Sequence, residues 1–227
     1  MIAEYILFAV CIVLYMCVVV MSRRRPRSVD HVYYINLKHR PDRDVQIRHE
    51  IRKLGLLDRT TRIDAVYEKG RGHLGCSRSH ILALEQFLKS PHQNCIIFED
   101  DFQFKGDPTP ALNKVFEQGV EYDVIMLSAG WTTAEKSQYD FLKKSTCTTT
   151  TSGYLVNRKF APRLLANFRE GVRLLEEAYN RGSKINGTDD ALYAIDQYWC
   201  RLQGVSNWYI MDPVLGEQSM SKSDIMV

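Results

Sequence analysis

The chain has 227 residues, 45% of them hydrophobic and 25% charged, with a formal net charge of +3 and a mean hydropathy of −0.27. This composition excludes a disordered chain, a collagen-like repeat and a polytopic membrane protein, and the length suits one globular domain with a small appendage. The four arginines and one glutamate of residues 1–28 account for the whole net charge, so the remainder is neutral and lacks a bulk field for collecting polyanions, which argues against nucleic acid as a partner.

The appendage comes first. Residues 2–21 form a run whose single charge is Glu4, and Ser-Arg-Arg-Arg-Pro-Arg follows at 22–27. The run matches the hydrocarbon thickness of a bilayer. It lacks the basic start and the small-residue cleavage pattern of a signal peptide. The expectation is a single-pass anchor over 1–22, a basic linker over 23–30 that meets lipid headgroups, and a folded domain over 31–227. By the positive-inside rule, Arg23, Arg24, Arg25 and Arg27 place that domain in the cytosol. The Asn186-Gly187-Thr188 sequon points the other way, because it acts only in a lumen; four arginines outweigh one tripeptide. Cys11 and Cys17 lie in the apolar run. Cys76, Cys95, Cys147 and Cys200 are scattered without short pair spacing and read as free thiols.

Residues 31–37 read as a buried strand. A helix over 43–54 follows, capped by Asp42 and stopped by Gly55, with Val45, Ile47, Ile51 and Leu54 on its stripe. Residues 60–66 are a second strand, 68–75 a glycine-bearing turn and 76–88 a helix. Residues 95–98 form a short apolar strand that ends in three acids. Thr109 caps a helix from Pro110 to about 118. Residues 124–127 and 153–156 are strands, with the threonine-rich 146–152 as an edge or strand entry. Helices are expected over 159–168 and 172–180. Thr188 caps a long last helix over 189–202, and 208–210 is the closing strand. Apolar strands separated by helices imply an α/β fold with a largely parallel, Rossmann-like sheet covered by helices on both faces. In such sheets ligands bind at the carboxyl ends of the strands.

That rule directs attention to Glu99-Asp100-Asp101. Side chains alternate along an extended chain, so Glu99 and Asp101 point the same way and offer a hard-oxygen site for Mn²⁺ or Mg²⁺. The competing reading is a solvated acidic turn. Gly75-Cys76-Ser77-Arg78-Ser79-His80 opens a helix whose amides, with Ser77 and Ser79, would hold an anion. Three other readings stay open there: zinc on His73, Cys76 and His80, a Cys76–His80 nucleophile pair, and His80 ordering the turn through a backbone carbonyl. Arg40 and Arg43 follow the first strand and suit a diphosphate, although one of them belongs to a solvated helical turn. Asp196 sits among large apolar neighbours, which suits a base. Asp189 and Asp190 also have a plain role as helix N-terminal charges. Trp199, Trp208 and Tyr209 suit either sugar stacking or core. There is no GxxxxGK loop, no GxGxxG after the first strand and no GxSxG elbow.

Several of these segments recur together in one family. Tyr34-Ile35-Asn36-Leu37 with Arg40 and Asp42-Arg43, then Gly75-Cys76-Ser77-Arg78-Ser79-His80, Ile97-Phe98-Glu99-Asp100-Asp101, Tyr122 to Leu127, Ser152 to Val156, Ile195-Asp196-Gln197-Tyr198 and Asn207 to Ile210 resemble glycosyltransferase family 25 in order. That family includes lipopolysaccharide and collagen galactosyltransferases and giant-virus relatives. The resemblance spans about Val32 to Ile225. It implies a GT-A fold, a UDP-linked hexose donor (galactose or glucose), inversion, and a glycan, glycolipid or protein acceptor. It further implies a divalent cation, Mn²⁺ or Mg²⁺, on Asp101 and Glu99. Asn36, Arg40, Arg43, Asp64, Ser79 and His80, with Glu99 and Asp100, would shape the nucleotide pocket, and Asp196 would be the base, with Asp190 or Asp189 as runner-up. The chain departs from many GT-A enzymes in carrying Gln218 and Ser219 where they place a C-terminal histidine. Two alternatives use the same residues: a non-catalytic nucleotide- or glycan-binding adaptor, and a metal-dependent nucleotidyltransferase or phosphohydrolase.

Overall fold

The structure is a computed structural model that describes residues 10–12, 29–184 and 187–219. The expected anchor over 1–22 and linker over 23–30 lie almost wholly outside the described residues. Among the described residues, no helix is long and apolar enough to cross a membrane.

Ten strands and seven α-helices, with a short 3-10 helix at Leu57–Arg59, follow in chain order among the described residues: β1 His31–Asn36, α1 Pro41–Lys53, β2 Thr60–Asp64, α2 Gly72–Lys89, β3 Asn94–Glu99, β4 Phe102–Phe104, α3 Thr109–Glu117, β5 Val124–Met126, β6 Thr132–Lys136, β7 Leu142–Thr148, β8 Gly153–Asn157, α4 Ala161–Asn180, α5 Thr188–Tyr193, α6 Ile195–Tyr198, α7 Cys200–Gln203, β9 Trp208–Met211 and β10 Gly216–Gln218. Eight strands form one sheet in the order β2-β1-β3-β8-β5-β9-β7-β6. Six of them run the same way. β7 and β8 are reversed, so the sheet is mixed, with three parallel and four antiparallel pairings.

The period-2 alternation of the strands sorts the core onto two faces. Val32, Tyr34, Ile96 and Phe98 pack with Ile47 and Ile51 of α1, Leu54 just past its end, and Leu112 and Val115 of α3. Tyr33, Ile35, Cys95 and Ile97 pack on the opposite face with Ala83, Leu84 and Phe87 of α2 and Leu164 and Phe168 of α4. The expected covering of both faces by helices is therefore present.

The structure corrects several local readings. α1 begins at Pro41, and α3 and α5 include Thr109 and Thr188 as their first residues; none has a side-chain cap, so Asp42, Thr109 and Thr188 do not act as caps. α2 begins at Gly72, so Gly75 lies inside the helix. A side chain at Gly75 would come within 2.6 Å of the Val66 carbonyl, and its absence lets α2 press against the exit of β2. The helices expected over 159–168 and 172–180 are one 20-residue helix. Its Gly171 leaves room for the Tyr198 ring, which a Cβ would approach to 3.2 Å. The single helix expected over 189–202 is broken at Ala194, where ψ is 146°. β6 and β7 pair as an antiparallel hairpin that the sequence reading lacked. Cys147 and Cys200, expected as free thiols, are joined by a disulfide with Cα atoms 4.6 Å apart.

Candidate active site

The carboxyl ends of β1, β2 and β3 and the first turns of α1 and α2 enclose a cleft. Its lining includes Asn36, Arg43, Val66, Tyr67, Glu68, Gly72, Cys76, Ser79, His80, Glu99, Asp100 and Asp101. All three acids of the 99–101 cluster thus face one cavity, as the strand-end rule requires.

Each acid has a different environment. Asp100 is buried. It accepts from Asn36 Nδ2 at 2.7 Å and Arg43 Nη1 at 3.0 Å. Burial raises its pKa against the pull of Asn36 and Arg43. Its work is to fix the Asn36 and Arg43 side chains that follow β1. Asp101 is 3.8 Å from the same Arg43 nitrogen, and its Oδ1 is buried without a hydrogen-bond partner. Burial, then the charge of Glu99, pushes its pKa up to about 7, although Arg43 and the Gln218 side chain oppose the rise. Glu99 Oε1 accepts from Thr151 Oγ1 at 2.6 Å and lies 3.3 Å from His80 Nε2. Burial alone would raise its pKa, but His80, Thr151 and Arg43 outweigh burial and hold it low.

His80 is fully buried, and its Nδ1 lies 3.0 Å from the Tyr154 hydroxyl. A Glu99 carboxylate only accepts, so His80 Nε2 donates to it, while Nδ1 pairs with the Tyr154 hydroxyl. His80, held by Tyr154, therefore orients Glu99 rather than ordering the turn through a backbone carbonyl. Ser77 and Ser79 do not sit at a helix start. Their hydroxyls donate to the His73 carbonyl at 2.8 Å and the Gly75 carbonyl at 2.7 Å, and Ser79 also accepts from the Val66 N–H. Arg78 pairs with Glu68 and Glu176 and buttresses the flank of the cleft.

Asp196 Oδ2 accepts from the Thr150 N–H at 3.0 Å. Burial raises its pKa and the charge of Glu99 adds to the rise, against the Thr150 amide and His73. It lines a second recess with His73, Gly187, Asp190, Ala191, Ala194 and Gln197. His73 follows Gly72 of the first cleft, so the two recesses share the first turn of α2. Asp190 is buried in a hydrogen bond from Tyr179, and Asp189 accepts from Ser183 at 2.5 Å. Arg40 is paired with Asp42 at 2.8 Å. Asp64 is 77% exposed beside Arg62; the cleft wall at the end of β2 is made by Ala65 and Val66 instead.

Three carboxylates face one buried guanidinium, and one of their oxygens is both buried and unpartnered. Such an oxygen-rich set fits a hard divalent cation such as Mn²⁺ or Mg²⁺. A softer set lies beside it. The ligand atoms of Cys76, His80 and Glu99 fall within 4.8 Å of one another, whereas His73 is in the other recess. Burial pushes the Cys76 thiol well above its ordinary range, with Glu99 and Asp196 adding to the effect, which is the opposite of an activated nucleophile. The sequence reading gave no site role to Thr150, Thr151 or Tyr154. The threonine-rich stretch ahead of β8 was the signal for the two threonines, and Tyr154 stood only as part of the 152–156 strand segment.

The model of a family described as "Glycosyltransferase family 25 (LPS biosynthesis protein)" matches residues 59–176. The match contains the 75–80 and 99–101 segments and stops short of Asp196. Among solved structures, similar ones are the mannose-1-phosphate geranyltransferase from Thermus thermophilus, with 10% identity, TM-score 0.49, and 81% of this chain and 73% of that chain covered; a glycosyltransferase involved in the glycosylation of the major capsid of PBCV-1, with 11% identity, TM-score 0.48, and coverage of 86% and 95%; and A197 from STIV, with 10% identity, TM-score 0.45, and coverage of 85% and 87%. No curated protein matches the sequence.

Proposed function

The chain belongs to glycosyltransferase family 25, and from that premise we propose that it transfers a hexose, galactose or glucose, from a UDP-linked donor to a glycan, glycolipid or protein acceptor with inversion. One observation carries the reading: Glu99, Asp100 and Asp101 converge on a single cleft at the end of β3, where Asp101 presents a buried, unpartnered oxygen. In this reading Asp101 and Glu99 hold the divalent cation. A bound Mn²⁺ or Mg²⁺ supplies positive charge against the departing diphosphate. Arg43, anchored by Asp100, adds a fixed guanidinium on the same side. Tyr67, 54% exposed in the cleft lining, offers its ring to the nucleobase.

Inversion needs a base on the acceptor hydroxyl, opposite the leaving group. Asp196 is the best placed of the three candidates. Its environment raises its proton affinity, while Asp190 and Asp189 are tied to Tyr179 and Ser183. Asp196 takes the acceptor proton as the new bond forms, and the second recess receives the acceptor. The experiment is incubation of the protein with UDP-hexoses and Mn²⁺. UDP should be released slowly without acceptor and faster with one; failure to bind or turn over every donor contradicts the proposal.

The Cys147–Cys200 bond also bears on location. Disulfides persist in oxidising compartments and are rare in the cytosol. Together with the sequon at Asn186, a residue outside the described ones, it supports a domain that faces a lumen, against the cytosolic side expected from the arginines.

A further inference from the structure

The stretch between β7 and β8 touches both carboxylates on which the proposed chemistry depends. Thr151 Oγ1 donates to Glu99 Oε1 at 2.6 Å, and the Thr150 N–H donates to Asp196 Oδ2 at 3.0 Å. Glu99 and Asp196 repel each other, so a bonded bridge between them opposes their separation. Thr150 makes this bridge at φ 76°, in the left-handed region, where a β-branched residue is strained and persists only if its surroundings over-determine it.

The surroundings do so. Gln203 is fully buried and pairs with the Thr148 peptide as a neighbouring strand would. Its Oε1 accepts from the Thr148 N–H at 2.8 Å, and its Nε2 donates to the Thr148 carbonyl at 2.9 Å. Trp199 Nε1 donates to that same carbonyl at 2.9 Å. The Cys147–Cys200 bond joins the same strand end to the same helix. At the far end, the Glu99 N–H donates to the Ser152 carbonyl at 2.9 Å, and the Ser152 and Ser128 hydroxyls are 2.6 Å apart.

We propose that residues 148–152 are an alignment device in which Thr151 positions Glu99 and Thr150 positions Asp196, clasped in place by Gln203 and the Cys147–Cys200 bond. The proposal rests on the glycosyl-transfer reading, with Glu99 on the donor side and Asp196 on the acceptor side. Its contribution is to rate. Misplacement of a reacting group by about 1 Å costs on the order of 100-fold, while donor contacts away from the loop are kept.

The test compares the full chain with Thr151→Val, Thr151→Ser and Cys147→Ser/Cys200→Ser. With UDP-hexose, acceptor and Mn²⁺ held saturating for each protein, so that a weakened cation grip does not enter the donor KM, Thr151→Val and the double variant should lower kcat by ~10-fold or more with donor KM within ~3-fold, and Thr151→Ser should recover most of the loss. The double variant loses a cross-link and is destabilised, so Thr151→Val, which keeps volume, is the deciding substitution. A second readout needs no turnover. Amide exchange at 148–152 should be slow in the oxidised protein and ~10-fold or more faster after reduction. An unchanged kcat in Thr151→Val, an equal effect on kcat and KM, or exchange that ignores reduction overturns the proposal. A wild type that turns over no donor, yet shows redox-sensitive exchange, faults the glycosyl-transfer reading and leaves the clasp standing.

Discussion

Removing Asp101 should strengthen the fold while disabling the site. Burial and the charge of Glu99 lift the Asp101 pKa from 3.8 to about 7. The unfolded chain gives up this proton near pH 4, as an ordinary aspartate does. Between those two values the folded state holds a proton that the unfolded state has released. Stability therefore falls as pH rises through the window and stays low above it. At ~1.4 kcal/mol per pH unit, the gap caps the penalty near ~4 kcal/mol for a side chain that is 14% exposed. Urea denaturation in metal-free buffer at pH 5 and pH 8 reads the effect. The wild type should lose ~2–3 kcal/mol more than Asp101→Asn across that interval. Mn²⁺ at 100 times its Kd should return ~2.7 kcal/mol to the wild type at pH 8 and little to the variant. Parallel pH dependence in the two proteins, or equal stabilisation of both by Mn²⁺, refutes the assignment of Asp101 as an uncompensated ligand.

Asp196→Asn should lower kcat by ~10²–10⁴-fold with donor KM little changed, the signature of a lost base; equal effects on both would make Asp196 a binding residue. Gly216→Ala should cost ~1–3 kcal/mol in thermal or urea unfolding, because a Cβ there would run into the Phe102 ring and lie 2.5 Å from the Gln103 carbonyl. An unshifted transition contradicts that packing, which holds β10, and with it Gln218, beside Asp101. Expressed with an open route to an oxidising lumen, the protein should yield a Cys147–Cys200 cross-linked peptide and a glycosidase-sensitive mass at Asn186. Two free thiols and a bare Asn186 would restore the cytosolic orientation.

What the sequence showed and what it hid divide along physical lines. β1, β3 and β5 are runs of apolar residues buried on both faces, so local composition alone marks them, and the strand-end rule then places Glu99–Asp101 at the cleft. The hairpin β6–β7 escaped because Thr132–Lys136 is largely exposed and polar. Its pairing is set by long-range contact. The break at Ala194 is invisible to periodicity, since Leu192, Ile195, Trp199 and Leu202 keep a helical spacing in the sequence across it. Asp190 reads like any helix N-terminal acid until Tyr179 is found beside it. Cys147 and Cys200 are 53 residues apart, and no spacing rule pairs them. Thr151 became significant only when the fold brought it to Glu99, a contact that spans 52 positions.

The most direct test of the central claim is a titration of UDP into the protein with and without Mn²⁺, repeated with Asp101→Asn. If Asp101 and Glu99 grip a cation against the diphosphate, Mn²⁺ should tighten UDP binding by ~10-fold or more in the wild type, worth ~1.4 kcal/mol of coupling, and the gain should vanish in the variant. Equal UDP affinity under both conditions, or a gain that survives loss of Asp101, would contradict the account.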